Sequence, residues 1–134
     1  MARRFKAKRS AGFTLLEMMI VIVIMGILMA IALPIYTQSL VKSREAVMRQ
    51  DLFTLRSLIS QYTLDKQKAP QSLDDLVQAG YIKIIPKDPM TNEANWEVVQ
   101  EDVLLTVDQQ DPGISDVHSA SSAMATDGTA YSSW

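Results

Sequence analysis

The sequence predicts an α+β fold, in which a long N-terminal helical spine packs on a small domain with a short helix, a small antiparallel β-sheet and a C-terminal loop. Three observations predict this fold. An apolar run over residues 13–33 is long enough to cross a membrane as a helix. Apolar residues then recur at helical spacing from residue 41 to residue 62. Finally, short β-rich runs occupy residues 96–99 and 103–107.

The apolar run contains one charged residue, Glu17, among its 21 positions. As a helix these residues would extend roughly 30 Å, the thickness of the hydrocarbon core of a bilayer. A carboxylate inside that core costs a few kcal/mol, so we expect Glu17 to be paired, neutralised or functional. The alternative is that Glu17 reaches the lipid headgroups near the cytoplasmic face and has no partner.

The first twelve residues form a basic leader. They carry five basic side chains and no acid: Arg3, Arg4, Lys6, Lys8 and Arg9. By the positive-inside rule this end stays in the cytoplasm and the rest of the chain faces outward. An ordinary secretory signal peptide with an Ala-x-Ala site at residues 30–32 is an alternative. However, the apolar run exceeds the usual length of about 7–15 residues, and an acid near its start is unusual there.

Residues 11–17 read Ala-Gly-Phe-Thr-Leu-Leu-Glu. This sequence and the apolar helix after it resemble the class III signal of type IV pilins and type II secretion pseudopilins. The resemblance implies that a prepilin peptidase cuts between Gly12 and Phe13 and methylates the new amino terminus at Phe13. It also places the conserved acid of the family at Glu17 and its helix-bending proline at Pro34.

The new amine of Phe13 gives Glu17 a possible partner. A cation and a carboxylate tolerate an apolar setting together better than either does alone. Within one helix the two residues are four positions apart, but in an assembly Glu17 could instead reach Phe13 of a neighbouring subunit. The family resemblance implies the second arrangement.

Residues 34–64 continue the spine as an amphipathic helix. The apolar positions of one face are Val41, Met48, Leu52, Leu55, Ile59 and Tyr62. The basic positions of a separate, solvated face are Lys42, Arg49, Arg56 and Lys66. A simple helix stop at Pro34 is the alternative, because proline removes a backbone donor and clashes with the preceding turn.

Residues 65–134 are predicted to form an α/β head. Ser72 and Asp75 have the spacing of a helix capping box, and Gly80 follows as a stop signal. The β-rich runs at residues 96–99 and 103–107 predict a hairpin, with a loop from residue 108 to residue 134.

The head also resembles the pseudopilin fold. Residues 70–89 are similar to the major pseudopilin, the G component of type II secretion. In that family Trp-Gly-Asn-Pro-Tyr usually follows Asp-Pro, whereas here Asp88-Pro89 is followed by a different sequence up to Trp96. We expect Tyr131 and Trp134 to hold the loop on the sheet, and a sticky tip for a partner is the alternative.

Acidic residues dominate the end of the chain. From residue 88 onward there are nine acids and no Lys or Arg, and without the leader the side chains balance at minus seven. We therefore expect no nucleic-acid-binding surface on the head, because such a surface needs clustered basic residues. Major pseudopilins bind calcium in a C-terminal loop, and the best matches to those ligands are Asp111, Ser115, Asp116 and Asp127. The alternative is a solvated acidic loop.

The chain has no cysteine and one histidine, His118. Pilins commonly close their C-terminal loop with a disulfide, and pseudopilins use calcium, so the composition favours a pseudopilin; chelation should then lower the melting temperature. One histidine without cysteine does not make a zinc site. Several serines lie near His118, but no catalytic motif accompanies them, so we expect no enzymatic activity.

Three functions follow from these patterns. The first, by resemblance, is a structural subunit of the type II secretion pseudopilus, a helical homopolymer that drives export of folded proteins. It would require minor pseudopilins, a prepilin peptidase, an inner-membrane assembly platform, an ATPase and an outer-membrane secretin. The subunit would cross the inner membrane once, with its head in the periplasm. The second is a type IV pilin for adhesion, twitching or DNA uptake. The third is a secreted or tethered ligand-binding domain that does not polymerise.

Overall fold

The computed structural model describes residues 12–101 and 112–134. Its elements in chain order are helix α1 (Leu15–Lys66), helix α2 (Leu73–Gln78), strand β1 (Glu97–Glu101), strand β2 (Gly113–His118) and a 3-10 helix (Tyr131–Ser133). This composition confirms the α+β class with a long N-terminal helix. The chain divides into two compact units, Met1–Gln38 and Ser39–Trp134.

Helix α1 continues through Pro34. The ring nitrogen of Pro34 has no hydrogen to donate to the Ala30 carbonyl, so one helical hydrogen bond is missing there. Three residues later, the Thr37 hydroxyl donates to the Pro34 carbonyl oxygen at 3.0 Å. A helix stop at Pro34, the alternative considered from the sequence, is therefore wrong.

The apolar core of the second unit forms along one face of α1. The predicted face is buried at five positions, Met48, Leu52, Leu55, Ile59 and Tyr62. Val41, the sixth, is 37% exposed, whereas the carboxylate of Glu45 is buried on the same face. Leu73 and Leu76 of α2, Ile114 and Val117 of β2, and the Trp96 and Tyr131 rings complete this core.

Helix α2 begins and ends as the sequence predicts. The Asp75 carboxylate accepts hydrogen bonds from the backbone N–H groups of Ser72 and Gln71, at 3.2 and 2.8 Å. These bonds satisfy donors that the first helical turn leaves without partners. After the helix, Gly80 adopts a φ of +81°, which favours glycine and ends the helical path.

The sheet differs from the predicted hairpin. Strand β1 pairs antiparallel with β2, and Val99 lies opposite Asp116. The predicted second strand, residues 103–107, lies outside the described residues. The sequence placed residues 113–118 in a loop, and this assignment is wrong. Only Ile114 and Val117 of β2 are buried apolar residues, so the strand lacks the alternation that sequence patterns detect.

Residues 123–134, which we call the closing segment, form the end of the second unit. Met124 and Ala130 form an isolated bridge before the 3-10 helix. The Tyr131 and Trp134 rings meet edge to face, with their centroids 5.1 Å apart. Tyr131 is buried and Trp134 is half-buried against the core, which confirms that these aromatic residues hold this end of the chain in place.

Candidate processing and assembly site

The predicted cleavage bond lies just before α1. Gly12, Phe13 and Thr14 are outside regular secondary structure and exposed, and the helix begins at Leu15. Exposed, non-helical backbone is the preferred substrate of proteases. A Cβ atom added at Gly12 would meet no atom of the described residues within 4 Å.

Thr14 caps the start of α1. Its hydroxyl oxygen accepts a hydrogen bond from the Glu17 backbone N–H at 3.2 Å, and its carbonyl accepts one from Met18 at 3.1 Å. Thr14 and Glu17 have the Thr-x-x-Glu spacing of a capping box, a signal that the sequence analysis missed. The carboxylate of Glu17 also lies in the first helical turn, where the helix dipole favours negative charge.

The side chains around the start of α1 are exposed. Phe13 is 79% exposed, and Glu17 forms no ion pair with the residues in ranges 12–101 and 112–134. Downstream of Glu17, an 18-residue window of α1 has a mean hydropathy of 2.9 and is fully exposed. By length and composition, α1 can cross a membrane.

Comparison with known proteins identifies this region. Residues 7–33 match the family model of the prokaryotic N-terminal methylation motif. Type II secretion system core protein G of Aeromonas hydrophila is 36% identical over 101 residues, which cover 63% of this chain and 71% of that protein. The same protein of Vibrio cholerae is 34% identical over 106 residues, or 68% of this chain and 73% of that protein. The chain belongs to the type II secretion system core protein G family.

The methylation motif includes Gly12, Phe13 and Glu17, whereas Pro34 lies one residue past the matched range. The motif and the apolar helix of this core protein G relative fit a single-pass inner-membrane protein. Competence protein ComGC of Halalkalibacterium halodurans is also similar, with 36% identity over 73 residues, 54% of this chain and 72% of that protein. No solved structure matches the chain.

The predicted calcium ligands are not gathered in the described residues. Asp111 lies outside them. The Ser115 hydroxyl donates to the Val99 carbonyl at 3.3 Å, Asp116 pairs with Arg56, and Asp127 pairs with Arg49. Within ranges 12–101 and 112–134, no three His, Asp or Glu side chains form a cluster that could hold a metal.

Glu45 binds the closing segment. One carboxylate oxygen accepts hydrogen bonds from the Thr126 backbone N–H at 2.7 Å and the Tyr131 hydroxyl at 2.9 Å, and the other accepts from the Thr126 hydroxyl at 2.6 Å. Burial raises the pKa of Glu45, but these hydrogen bonds lower it by more, so its pKa is below the ordinary value. The charged form is therefore the one that fits this site.

Glu45 was not predicted as a site residue, although its position in the sequence carries a signal. Glu45 is four residues after Val41 and three before Met48, so it falls on the predicted apolar face. An acid at such a position needs partners, by the same reasoning that singled out Glu17. The partners of Glu45 lie about eighty positions away in sequence, in the closing segment, which its composition alone predicts to be a loop.

Two basic residues assigned to a solvated face instead make tertiary contacts. Arg49 forms an ion pair with Asp127 at 3.3 Å, and its guanidinium carbon lies 4.2 Å from the centre of the Trp134 ring. Arg56 is half-buried and pairs with Asp116 at 2.5 Å. Lys42 and Lys66 are exposed, as expected. The helical period correctly separates basic from apolar positions, but it does not show where the closing segment lies.

His118 makes polar contacts with Trp134 and Asp116. Its Nδ1 lies 2.5 Å from the Trp134 carbonyl oxygen, so the ring donates there, and its Nε2 lies 3.5 Å from Asp116.

A buried polar contact lies elsewhere in the second unit, where the Ser119 hydroxyl donates a hydrogen bond to the buried Asp88 carboxylate. The same carboxylate accepts from the Met90 N–H at 2.8 Å and orders the turn after Asp88.

Proposed function

We propose that this chain is a structural, non-catalytic subunit of the type II secretion pseudopilus. A prepilin peptidase cleaves it after Gly12 and methylates the amine of Phe13, and the mature subunit polymerises into a helical filament that drives export of folded proteins. The observation that carries the proposal is the position of the Gly12 and Phe13 bond. It lies in exposed, non-helical backbone directly before a membrane-length helix with one ionisable residue in its apolar part.

In this proposal Glu17 selects the neighbouring subunit. Its carboxylate is exposed and has no ionic partner in the described residues, and cleavage creates a cation at Phe13 that a second copy can bring to it. In a low-dielectric setting each charge is costly without the other. Uncleaved chains lack the amine, so cleavage precedes assembly.

The location and partners of the filament follow from the same proposal. The subunit crosses the inner membrane once, with its basic leader in the cytoplasm and its second unit in the periplasm. An assembly platform and an ATPase extract subunits, minor pseudopilins begin the filament, and an outer-membrane secretin provides the exit. The relatives named as type II secretion system core protein G support this set of components, because this chain aligns with 71% and 73% of their lengths.

Two measurements on cells test the proposal. Mass spectrometry of the membrane-extracted chain should give an amino terminus at methylated Phe13, and Glu17→Leu should insert normally but fail to form filaments. Met18→Leu, the neighbouring apolar change, should leave filament yield unchanged. Cleavage within residues 30–32 would instead identify a secreted domain, and normal filaments from Glu17→Leu would remove the charge pair from the account.

A type IV pilin is the second candidate, and the match to competence protein ComGC favours it. Both candidates share cleavage and assembly, so the mature amino terminus does not distinguish them. A deletion strain does. Loss of protein export with normal adhesion, twitching and transformation indicates the secretion pseudopilus, and the reverse indicates a surface or DNA-uptake pilus.

A further inference from the structure

The guanidinium of Arg56 contacts three oxygen atoms from two distant parts of the chain. Its Nε donates to Asp116 Oδ1 at 2.5 Å, and its Nη2 donates to the carbonyl oxygens of Val117 and Trp134 at 2.9 and 2.8 Å. Asp116 and Val117 belong to strand β2, whereas Trp134 belongs to the closing segment. One side chain of α1 therefore fixes both segments.

These three oxygens are of the kinds that a calcium ion takes. Calcium sites in proteins combine carboxylates with backbone carbonyl oxygens. Here one carboxylate and two carbonyls converge on a positive charge that is part of the chain. Because the guanidinium is planar and carries five donors in a fixed fork, it can serve several oxygens at once.

Among the predicted metal ligands in the described residues, the two carboxylates, Asp116 and Asp127, already face positive groups of the chain. The second oxygen of Asp116 lies 3.5 Å from His118 Nε2. Asp127 accepts two hydrogen bonds from Thr129 on one oxygen, at 2.9 and 2.5 Å, and pairs with Arg49 through the other. A divalent ion at Asp116 or Asp127 would meet an arginine and would have to displace it. These residues do not fit the calcium site that the family resemblance implies.

The three residues of α1 that bind the closing segment share one side of the helix. Glu45, Arg49 and Arg56 are separated by four and seven residues, close to whole helical turns. Glu45 accepts from the donors of the closing segment, and the two arginines bind its acceptors and its Trp134 ring. This side of α1 thus binds both hydrogen-bond donors and hydrogen-bond acceptors of the closing segment.

We propose that Arg56 serves as an internal cation that holds strand β2 and the closing segment on helix α1 in place of a divalent metal ion. The second unit then keeps its fold without calcium. This inference replaces the calcium prediction for Ser115, Asp116 and Asp127. It concerns the fold of the subunit and does not rest on filament formation.

The test compares metal removal with removal of the guanidinium. The full chain, in detergent micelles, is melted with excess CaCl2 or with excess EGTA, and unfolding is followed by the fluorescence of Trp96 and Trp134. Hydrogen exchange is measured for β2 and the closing segment. The variants are Arg56→Gln, Arg56→Lys and a matched control, Arg44→Gln. Arg44 is exposed on the same helix and makes no ion pair with residues in the described ranges.

The wild-type chain should melt at the same temperature in calcium and in EGTA. Arg56→Gln should lower the melting temperature by about 5–10 °C and speed exchange in both β2 and the closing segment, because three acceptors lose their donors. Arg56→Lys should fall between, since an ammonium keeps the charge but not the fork. The Arg44→Gln control should match the wild type.

Two results would overturn the proposal. The first is a lower wild-type melting temperature in EGTA than in calcium, which would mean that a metal ion contributes to the fold. The second is an Arg56→Gln chain with unchanged melting and exchange, which would mean that the guanidinium holds neither segment. The wild-type comparison stands even if an Arg56 variant does not fold.

Discussion

The Tyr131 hydroxyl donates a hydrogen bond of 2.9 Å to Glu45 Oε1, although the two residues are 86 positions apart. Both are buried, with 3% and 6% of their surfaces exposed. The contact joins the middle of α1 to the closing segment and places an ionised carboxylate beside the Tyr131 hydroxyl. Burial and the nearby Glu45 charge raise the pKa of Tyr131, so its hydroxyl stays protonated and remains a donor.

Replacing Glu45 with leucine should destabilise the second unit by about 1–3 kcal/mol, because the buried Tyr131 hydroxyl would have no acceptor and the two donors of Thr126 would lose theirs. Urea denaturation of the chain in non-ionic detergent, followed by tryptophan fluorescence, measures this loss. Glu97→Gln is the control, since Glu97 is exposed on β1 and should change stability by less than about 0.5 kcal/mol. Equal stability of Glu45→Leu and wild type would show that these hydrogen bonds contribute nothing net.

Stability should fall in acid. Among the described residues, three carboxyls have pKa values below the ordinary values of 4.5 for Glu and 3.8 for Asp: Glu45, Asp116 and the exposed Asp127, whose pKa is lowered mainly by hydrogen bonds from Thr129. For Asp116, burial raises the pKa, but the Val117 N–H and Arg56 lower it by more. A lowered folded-state pKa stabilises the protein above the unfolded value, and this stabilisation is lost as pH falls through the folded value.

The melting temperature should therefore hold constant near neutral pH and fall once pH drops below about 4.5. Asp51 acts in the opposite sense, because burial and the charge of Asp88 raise its pKa. Protonation of Asp51 in acid therefore stabilises the folded chain relative to its charged form. Glu45→Gln, which cannot lose a charge, should show a shallower decline than wild type. A decline equally steep in both chains would exclude Glu45 as a source of the pH dependence.

Adding a methyl group at Gly113 should destabilise strand β2. A Cβ atom there would lie 2.3 Å from the Ala69 Cβ, closer than two non-bonded carbon atoms can approach. We expect Gly113→Ala to cost about 1–3 kcal/mol, the usual effect of overpacking. Ala69→Gly removes the clashing atom, so the double variant should recover part of the loss. Thermal melting of the two single variants and the double variant measures this coupling, and strictly additive effects would contradict it.

Truncating Leu55 should cost far more than truncating Phe53, two positions earlier on α1. Leu55 is completely buried, whereas Phe53 is 67% exposed. Leu55→Ala should destabilise the second unit by about 2–5 kcal/mol, because it removes apolar contacts and leaves a cavity. Phe53→Ala should leave the free energy of unfolding almost unchanged and thus serves as the control. Similar losses in the two variants would mean that the core is not where the structure places it.

The sequence by itself determined the spine and its processing signal. An apolar run of membrane length and a 3.6-residue period depend on neighbouring positions only, so the long helix and the buried face from Met48 to Tyr62 were predictable. The same holds for the ends of α2, where Asp75 and Gly80 act on backbone groups within a few residues. Gly12, Phe13 and Glu17 lie in a short motif that residue types and spacing alone specify.

Tertiary structure decided the rest. Strand β2 carries only two buried apolar residues and exists because β1 pairs with it. Glu45 lies on the predicted apolar face and Arg56 on the predicted solvated face, and the partners of both come from residues 60 to 86 positions away. The acceptor that a basic side chain of α1 meets depends on where β2 and the closing segment pack on this helix. Hydrophobic periodicity within α1 carries no information about that packing. For this reason composition suggested a metal at Asp116, and the fold places Arg56 there.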